Sequence, residues 1–313
     1  MDAKDHPSRA KTILAFAIIY LVWGSTFLAI RVGVHEVPPL IFAAIRFLIA
    51  GLALYLWMLL HGERAPSRRQ WLSVSLLALL IFVGDYGLLF WAEQRVPSGI
   101  AAVMMATIPA FTAFSEIAIL RTQKLTARLV LALLIGLGGV AVLMNRSLNL
   151  GGQPIEITGA LALIFAAISW SVASALSRKL PLPSSKVMSS GAQMLAGGLL
   201  LTLAAAAFGE FRGFRPSQVS SAAWIALLYL IVLGSIVGFT AYVWLIHHQS
   251  PTKVGTYAYV NPVIAVLLGY FLAGEPLGAR TILGTLFILI SVVVITTTPA
   301  RKPAPILEPE DAI

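Results

Sequence analysis

Apolar runs of about 20 residues recur along the chain, separated by short polar stretches, and this alternation dominates the sequence. The runs cover residues 12–32, 39–60, 71–91, 97–120, 127–145, 157–177, 187–208, 220–245, 252–273 and 280–298. A helix rises about 1.5 Å per residue, so each run can cross a hydrocarbon core ~30 Å thick. Inside hydrocarbon a single run can satisfy its own backbone hydrogen bonds only as a helix. The pattern therefore predicts an all-α polytopic membrane protein with ten transmembrane helices. The connections are too short to hold a soluble catalytic domain. The N-terminus has a basic start, a long first apolar run and no small-residue cleavage site, which reads as a retained helix. The tail at 299–313, rich in Pro and acids, is expected to be disordered.

The chain also repeats itself. Trp23 is followed eight residues later by Arg31, and Trp170 likewise by Arg178. At the same offset of 147 residues Gly51 falls on Gly198. Further on the offset drifts to 153, where Trp71 meets Trp224, Trp91 meets Trp244 and Pro109 meets Pro262. Leu-rich helices align by chance, whereas Trp, Pro and Arg rarely do. The expected units are residues 1–148 (helices 1–5) and 149–298 (helices 6–10). Five spans is an odd number, so the second unit enters the bilayer from the opposite side. Two inverted repeats interrupted by Gly and Pro are a mark of secondary transporters.

Composition sharpens this picture in two respects. Hydrophobic residues make up 58% of the chain, charged residues only 11%, and mean hydropathy is +0.89. Soluble domains carry about 25% charged residues, so lipid is the expected solvent. The net charge of +9 could suggest a nucleic-acid partner, but its placement argues for topology instead. With the N-terminus taken as cytoplasmic, fifteen Lys and Arg outside the spans or at their ends fall on that side and six on the other. That bias follows the positive-inside rule with both termini cytoplasmic. No nucleic-acid partner is expected. The chain has no cysteine, which excludes disulfides and thiolate chemistry.

At particular residues the chain resembles the drug/metabolite transporter superfamily, specifically its EamA-type ten-helix exporters. The resemblance is carried by Trp23-Gly24-Ser25-Thr26-Phe27, by Arg46-Phe47-Leu48 with Gly51, and by Ser98-Gly99-Ile100-Ala101-Ala102 with Ile108-Pro109-Ala110. In the second copy it is carried by Tyr242-Val243-Trp244, Tyr257 to Pro262 and Leu272-Ala273-Gly274-Glu275-Pro276-Leu277. In one departure, Gln123 stands where the family often has a Glu matching Glu275. The resemblance implies a central cavity between two five-helix repeats and export of small metabolites. Within the family the chain looks most like bacterial amino-acid exporters of the YddG type, which implies the bacterial inner membrane.

Charges placed in hydrocarbon are costly and default to functional suspects. Arg46, Asp85 and Glu116 lie inside the runs. Arg46 and Asp85 are about 10 Å and about 9 Å from the same side, so an Arg46–Asp85 pair is expected, either as a structural lock or as a gate. Glu116 lies toward the other side, within reach of Arg121, Lys124 or Arg128, or of cavity water. Trp23 and Trp170 sit mid-span beside Ser25, Thr26, Ser169 and Ser174, where an indole and hydroxyls can line a polar cavity. The plain alternative is helix packing, with the hydroxyls bonded back to their own carbonyls. Tyr86, Thr107, Tyr242, Tyr257, Tyr259 and Asn261 complete the candidate lining. Trp91 and Trp244 fall near span ends, where aromatic belts are the ordinary explanation. Pro109 and Pro262 each free a backbone carbonyl, and paired broken helices point to a midplane site.

Other classes fare worse. The histidines fall in loops or at span ends, no HExxH motif exists, and no cofactor or metal is expected, so an enzyme is disfavoured. No charged ring or filter-like loop points to a channel. The expected partners are the lipid bilayer and a small zwitterionic metabolite, with nucleobases or neutral drugs as alternatives.

Overall fold

The fold described here comes from a computed structural model and covers residues 8–120, 126–144, 156–248, 254 and 257–296. Among the described residues every long element is a helix, and ten helices follow one another with short connections. They are α1 (Arg9–Val34), α2 (Pro39–Leu60), α3 (Arg68–Glu93), α4 (Ser98–Leu120) and α5 (Ala127–Met144). The second set is α6 (Ile157–Ser177), α7 (Lys186–Ala207), α8 (Ser221–Leu245), α9 (Tyr257–Ala273) and α10 (Ala279–Thr296). Seven of them are long and apolar enough to cross a membrane; α5, α9 and α10 are shorter in that respect, and each adjoins residues outside the described set. The tail expected to be disordered also lies outside it. Large apolar side chains such as Leu60, Leu203, Phe208 and Phe271 are exposed, as a lipid-facing surface requires. The chain is an all-α polytopic membrane protein.

Local sequence explains where the helices start. Ser67 caps α3 in a reciprocal box with Gln70, and Ser185 and Ser220 cap α7 and α8 through the amides of Met188 and Ala223. Two helices open instead on prolines, Pro38 for α2 and Pro97 for α4, which offer no side-chain acceptor. Carboxylates from distant loops take over that role. The Leu40 and Ile41 amides donate to Glu210 at 3.3 and 3.0 Å. The Ser98 amide, the Ser98 hydroxyl and the Gly99 amide donate to Glu275 at 2.7, 2.8 and 3.1 Å. Anions at helix N-termini are stabilised by the exposed amides and the helix dipole. These contacts join loops that follow odd-numbered helices, so that end of the molecule is called the odd face; the other end is the even face.

On the odd face the Ser220 amide and hydroxyl both donate to Glu36 at 2.7 Å, which holds the Glu36 carboxyl below its ordinary pKa. Glu210 moves the other way, because partial burial outweighs its two amide donors. A group with a depressed folded pKa contributes stability above its unfolded pKa and loses it as pH falls through the folded value. Protection of the Ser220 amide from hydrogen exchange should therefore persist at a pH where free Glu is already half protonated, and vanish at lower pH. Glu36→Gln should abolish that pH dependence.

Close packing depends on glycine where two helices meet backbone to backbone. The α2–α7 seam is the most extensive. A Cβ on Gly51 would lie 2.4 Å from the Leu195 nitrogen, and one on Gly198 would lie 2.7 Å from the Leu48 nitrogen. Residues 48 and 51 lie 147 residues before 195 and 198, so the contact is reciprocal at that offset. The α5–α10 seam has the same character: Gly139 meets the Gly284 carbonyl and Gly284 meets the Gly139 carbonyl. The remaining pairings follow suit, with α1 packed on α8 and α9, and α6 packed on α3 and α4.

Candidate transport site

The helices around the centre depart from regular α geometry in ways that expose backbone carbonyls. α3 is π-helical over Leu79–Gly87, and α8 is π-helical over Leu230–Val237. These segments occupy corresponding places in the two halves, and π-bulges concentrate at functional sites. Each is engaged by a polar side chain from the other half. The Ser169 hydroxyl donates to the Leu80 carbonyl at 2.8 Å, and the Trp23 indole N–H donates to the Gly234 carbonyl at 3.1 Å. α4 is interrupted at Ala106-Thr107, just before Pro109. α9 instead runs as one helix through Pro262, so only the first of the two proline positions shows a break.

Two aromatic groups flank this region. Trp23 packs 5.3 Å from the rings of both Tyr242 and Tyr257, joining α1, α8 and α9. Tyr86 packs against Phe47 at 4.7 Å, Phe82 at 5.8 Å, Phe90 at 6.3 Å and Trp170 at 6.2 Å, joining α2, α3 and α6. With its amide nitrogen turned toward them, Asn261 donates to the Tyr20 and Tyr257 carbonyls at 3.3 and 3.2 Å. Several hydroxyls take the plainer role. Thr26 and Thr107 donate to the Trp23 and Met104 carbonyls, while Ser25 bonds back to Leu21 and Val22 and also meets the Tyr229 hydroxyl. The Ser174 carbonyl accepts from the Ser177 hydroxyl at 2.8 Å. The side chain of Tyr259 lies outside what is described.

Arg46 stands between the halves. Its Nε donates to the Ser235 hydroxyl at 3.0 Å, and Ser235 in turn donates to the Leu230 carbonyl five residues back, at 3.0 Å. The guanidinium carbon lies 4.7 Å from the Phe47 ring centre and 5.4 Å from that of Tyr86, within cation–π range. Only 3% of the residue is exposed, and among the described residues its Nη1 has no hydrogen-bond partner. The Arg46–Asp85 pair expected from depth does not form. Depth fixes a level along the helix but not the direction a side chain faces, and Arg46 faces Ser235 of α8. Asp85 is buried, and its Oδ1 has no partner among the described residues.

The charges that do pair sit at the two ends. On the odd face Arg31 Nε lies 3.4 Å from Glu275, and its Nη1 donates to the Glu93 and Val96 carbonyls at 2.9 and 2.6 Å. On the even face Arg178 Nη2 lies 2.8 Å from Glu116, and the Lys179 ammonium donates to the Ile119 carbonyl. Arg31 and Arg178 are the repeated residues of the sequence. Each ties the C-terminal end of α1 or α6 to the α9 or α4 end. Arg178, which the sequence reading did not propose, is thus a partner of Glu116; Arg121, Gln123, Lys124 and Lys253 lie outside the described residues. Arg95 stacks 3.7 Å over Trp91, which fits a span-end tryptophan. Removing the Glu275 carboxylate should cost more than the ion pair alone. Glu275→Ala leaves the N-terminus of α4 uncapped, so thermal unfolding in detergent should show a loss of about 0.5–2 kcal/mol.

A cavity of about 480 Å³ opens between α4, α5 and α6, lined by Thr107, Phe111, Phe114, Ile168 and Val172 among others. A second, of about 550 Å³, lies on the even face between the 61–70 loop and Pro183–Met188. Neither contains Arg46 or the aromatic groups.

Comparison with known proteins gives this geometry a family. The model of the EamA-like transporter family matches residues 10–145 and again 157–297. The chain belongs to that family and is a membrane transporter. It is 39% identical over 298 residues to the uncharacterized inner membrane transporter YedA of Escherichia coli K12, with 94% of each chain covered. It is 25% identical over 292 residues to a protein of Salmonella typhimurium named as a probable amino-acid metabolite efflux pump, covering 90% of this chain and 93% of that one. A solved crystal structure, 24% identical, superposes with a TM-score of 0.59 over 92% of this chain and 96% of the other. That likeness concerns the fold.

Proposed function

We propose that this transporter exports small zwitterionic metabolites, amino acids foremost, across the bacterial inner membrane by alternating access. The even face, with both termini, is then cytoplasmic. The two moving bodies are the five-helix halves, related as inverted repeats around a central path. The reciprocal glycine contacts of α2 with α7, the matched π segments and the two end latches all support that relation.

The observation that carries the substrate class is Arg46. A guanidinium enclosed by Phe47, Tyr86 and Ser235, with one nitrogen unpartnered, is suited to a carboxylate arriving from the path. Hydrogen bonds with an ionised partner are the stronger kind. Ring faces of Trp23, Tyr242 and Tyr257 can receive an apolar side chain nearby, and the S. typhimurium relative's name fits the same class. Mechanistically, opening the Arg178–Glu116 latch admits substrate from the cytoplasm, and opening the Arg31–Glu275 latch releases it on the opposite side.

Proteoliposomes holding purified protein and a panel of labelled amino acids, nucleobases and cationic dyes test this. Saturable amino-acid flux, competed by other amino acids, is the expected result. Flux of nucleobases or dyes alone would overturn the substrate class while leaving transport in place.

A further inference from the structure

One buried acid is used by none of this. Glu93 ends α3, just beyond the apolar run in which the sequence placed that helix. The residue is 0% exposed, and among the described residues neither carboxyl oxygen has a hydrogen-bond partner. An ionised carboxylate taken out of water is tolerated only when paired and hydrogen-bonded. Among the described residues the Glu93 carboxyl has neither an ion-pair contact nor a hydrogen bond, and Arg31 and Arg46 stand in electrostatic reach without touching it, an environment suited to a carboxyl that keeps its proton.

Its surroundings tie that proton to the odd-face latch. The charged groups in electrostatic reach are Arg31 of α1, Glu275 after α9 and Arg46 of α2. Its own helix adds Asp85 and Tyr86, and α6, which packs on the end of α3, has no titratable residue. Arg31 already donates to the main-chain carbonyl of Glu93 while its Nε pairs with Glu275. Loss of the proton would place a second carboxylate on the same guanidinium, in competition with Glu275. Glu275 is also the cap of α4, so weakening its hold on Arg31 loosens the junction of α1, α4 and α9.

We propose that Glu93 is a proton-binding site that couples transport to a pH gradient. With the O–H bond intact, Arg31 stays on Glu275 and the odd face is latched. When that bond breaks, the proton passes to water on the odd or the even face, according to which is open, and Arg31 is drawn toward the Glu93 carboxylate. This coupling rests on the exporter reading; the protonated state of Glu93 does not.

Two measurements separate the two. Infrared spectroscopy of the purified protein at neutral pH should show the carbonyl stretch of a protonated, non-hydrogen-bonded carboxyl. That band should be lost in Glu93→Gln, shifted in Glu93→Asp and retained in Asp85→Asn. A band missing from the wild type, or unchanged by Glu93→Gln, overturns the proposal whether or not any substrate is found. In proteoliposomes with amino-acid substrate, a pH gradient should accelerate wild-type flux. Glu93→Gln should lose that acceleration, and Glu93→Asp, still titratable, should keep it. A response that survives Glu93→Gln, or that is lost only in Asp85→Asn, overturns the coupling role. A wild-type protein that moves no amino acid counts against the exporter reading instead, and the infrared band alone then decides the state of Glu93.

Discussion

Alanine at position 51 should separate α2 from α7. The added carbon would lie 2.4 Å from the Leu195 nitrogen and 2.8 Å from the Met194 carbonyl carbon, closer than real Cβ contacts come. Both obstacles are backbone, so no side chain can turn aside, and the helices themselves must shift. Overpacking of that kind costs about 1–3 kcal/mol, and more where the backbone has to move. Gly198→Ala, which meets the Leu48 nitrogen, should do the same from the other side. Gly138 is the control: it has nothing within 4 Å of the added carbon. There alanine should be neutral or stabilise by about 0.5–1 kcal/mol, the helix-interior difference between the two residues. Thermal unfolding in detergent, followed by monodisperse elution, checks all three.

Arg46→Gln should spare the fold and impair transport. In the substrate-free protein the Arg46 charge is buried and only partly hydrogen-bonded. Replacing an incompletely compensated buried charge with a neutral group is near neutral for stability or improves it. With a carboxylate bound, the same change removes a charged hydrogen bond worth about 1.5–3 kcal/mol. Apparent affinity for carboxylate-bearing substrates should fall by about 10- to 100-fold. A neutral analogue of the same side chain, lacking the carboxylate, should be affected far less. Equal losses for both would show that Arg46 has a packing role only.

These two residues also show what could be read in the chain. Gly51 and Gly198 were recognisable as repeat partners because the offset of 147 also aligns Trp23 with Trp170 and Arg31 with Arg178. Their mutual contact was not legible, since nothing in sequence states which helices meet. The apolar runs matched α2 and α6 to the residue but clipped α1 and α3. The run at 71–91 stopped short of Glu93, and the run at 12–32 left Arg31 looking like a topological charge at a span end. Both residues prove to belong to one cluster on the odd face, with Glu93 buried and Arg31 half-buried beside Glu275. The Arg46–Asp85 expectation failed for a related reason: equal depth on neighbouring helices leaves the direction of each side chain undetermined. The π segments were hidden altogether. They depend on carbonyls paired with side chains of the other half, such as Leu80 with Ser169, 89 residues away. The interruption of α4 before Pro109 was only half legible: a proline's missing donor is visible in any sequence, but α9 runs unbroken through Pro262 with the same deficit.

The most direct test of the account asks whether Arg46's surroundings open alternately to the two sides of the membrane. The chain has no cysteine of its own, so a single Ser235→Cys gives a clean reporter beside the guanidinium. Sealed vesicles of known orientation would be treated with a membrane-impermeant maleimide from one side at a time, with and without saturating substrate. Alternating access requires labelling from both sides, at a ratio that substrate changes. Labelling confined to one side under every condition, or none from either side, would contradict it.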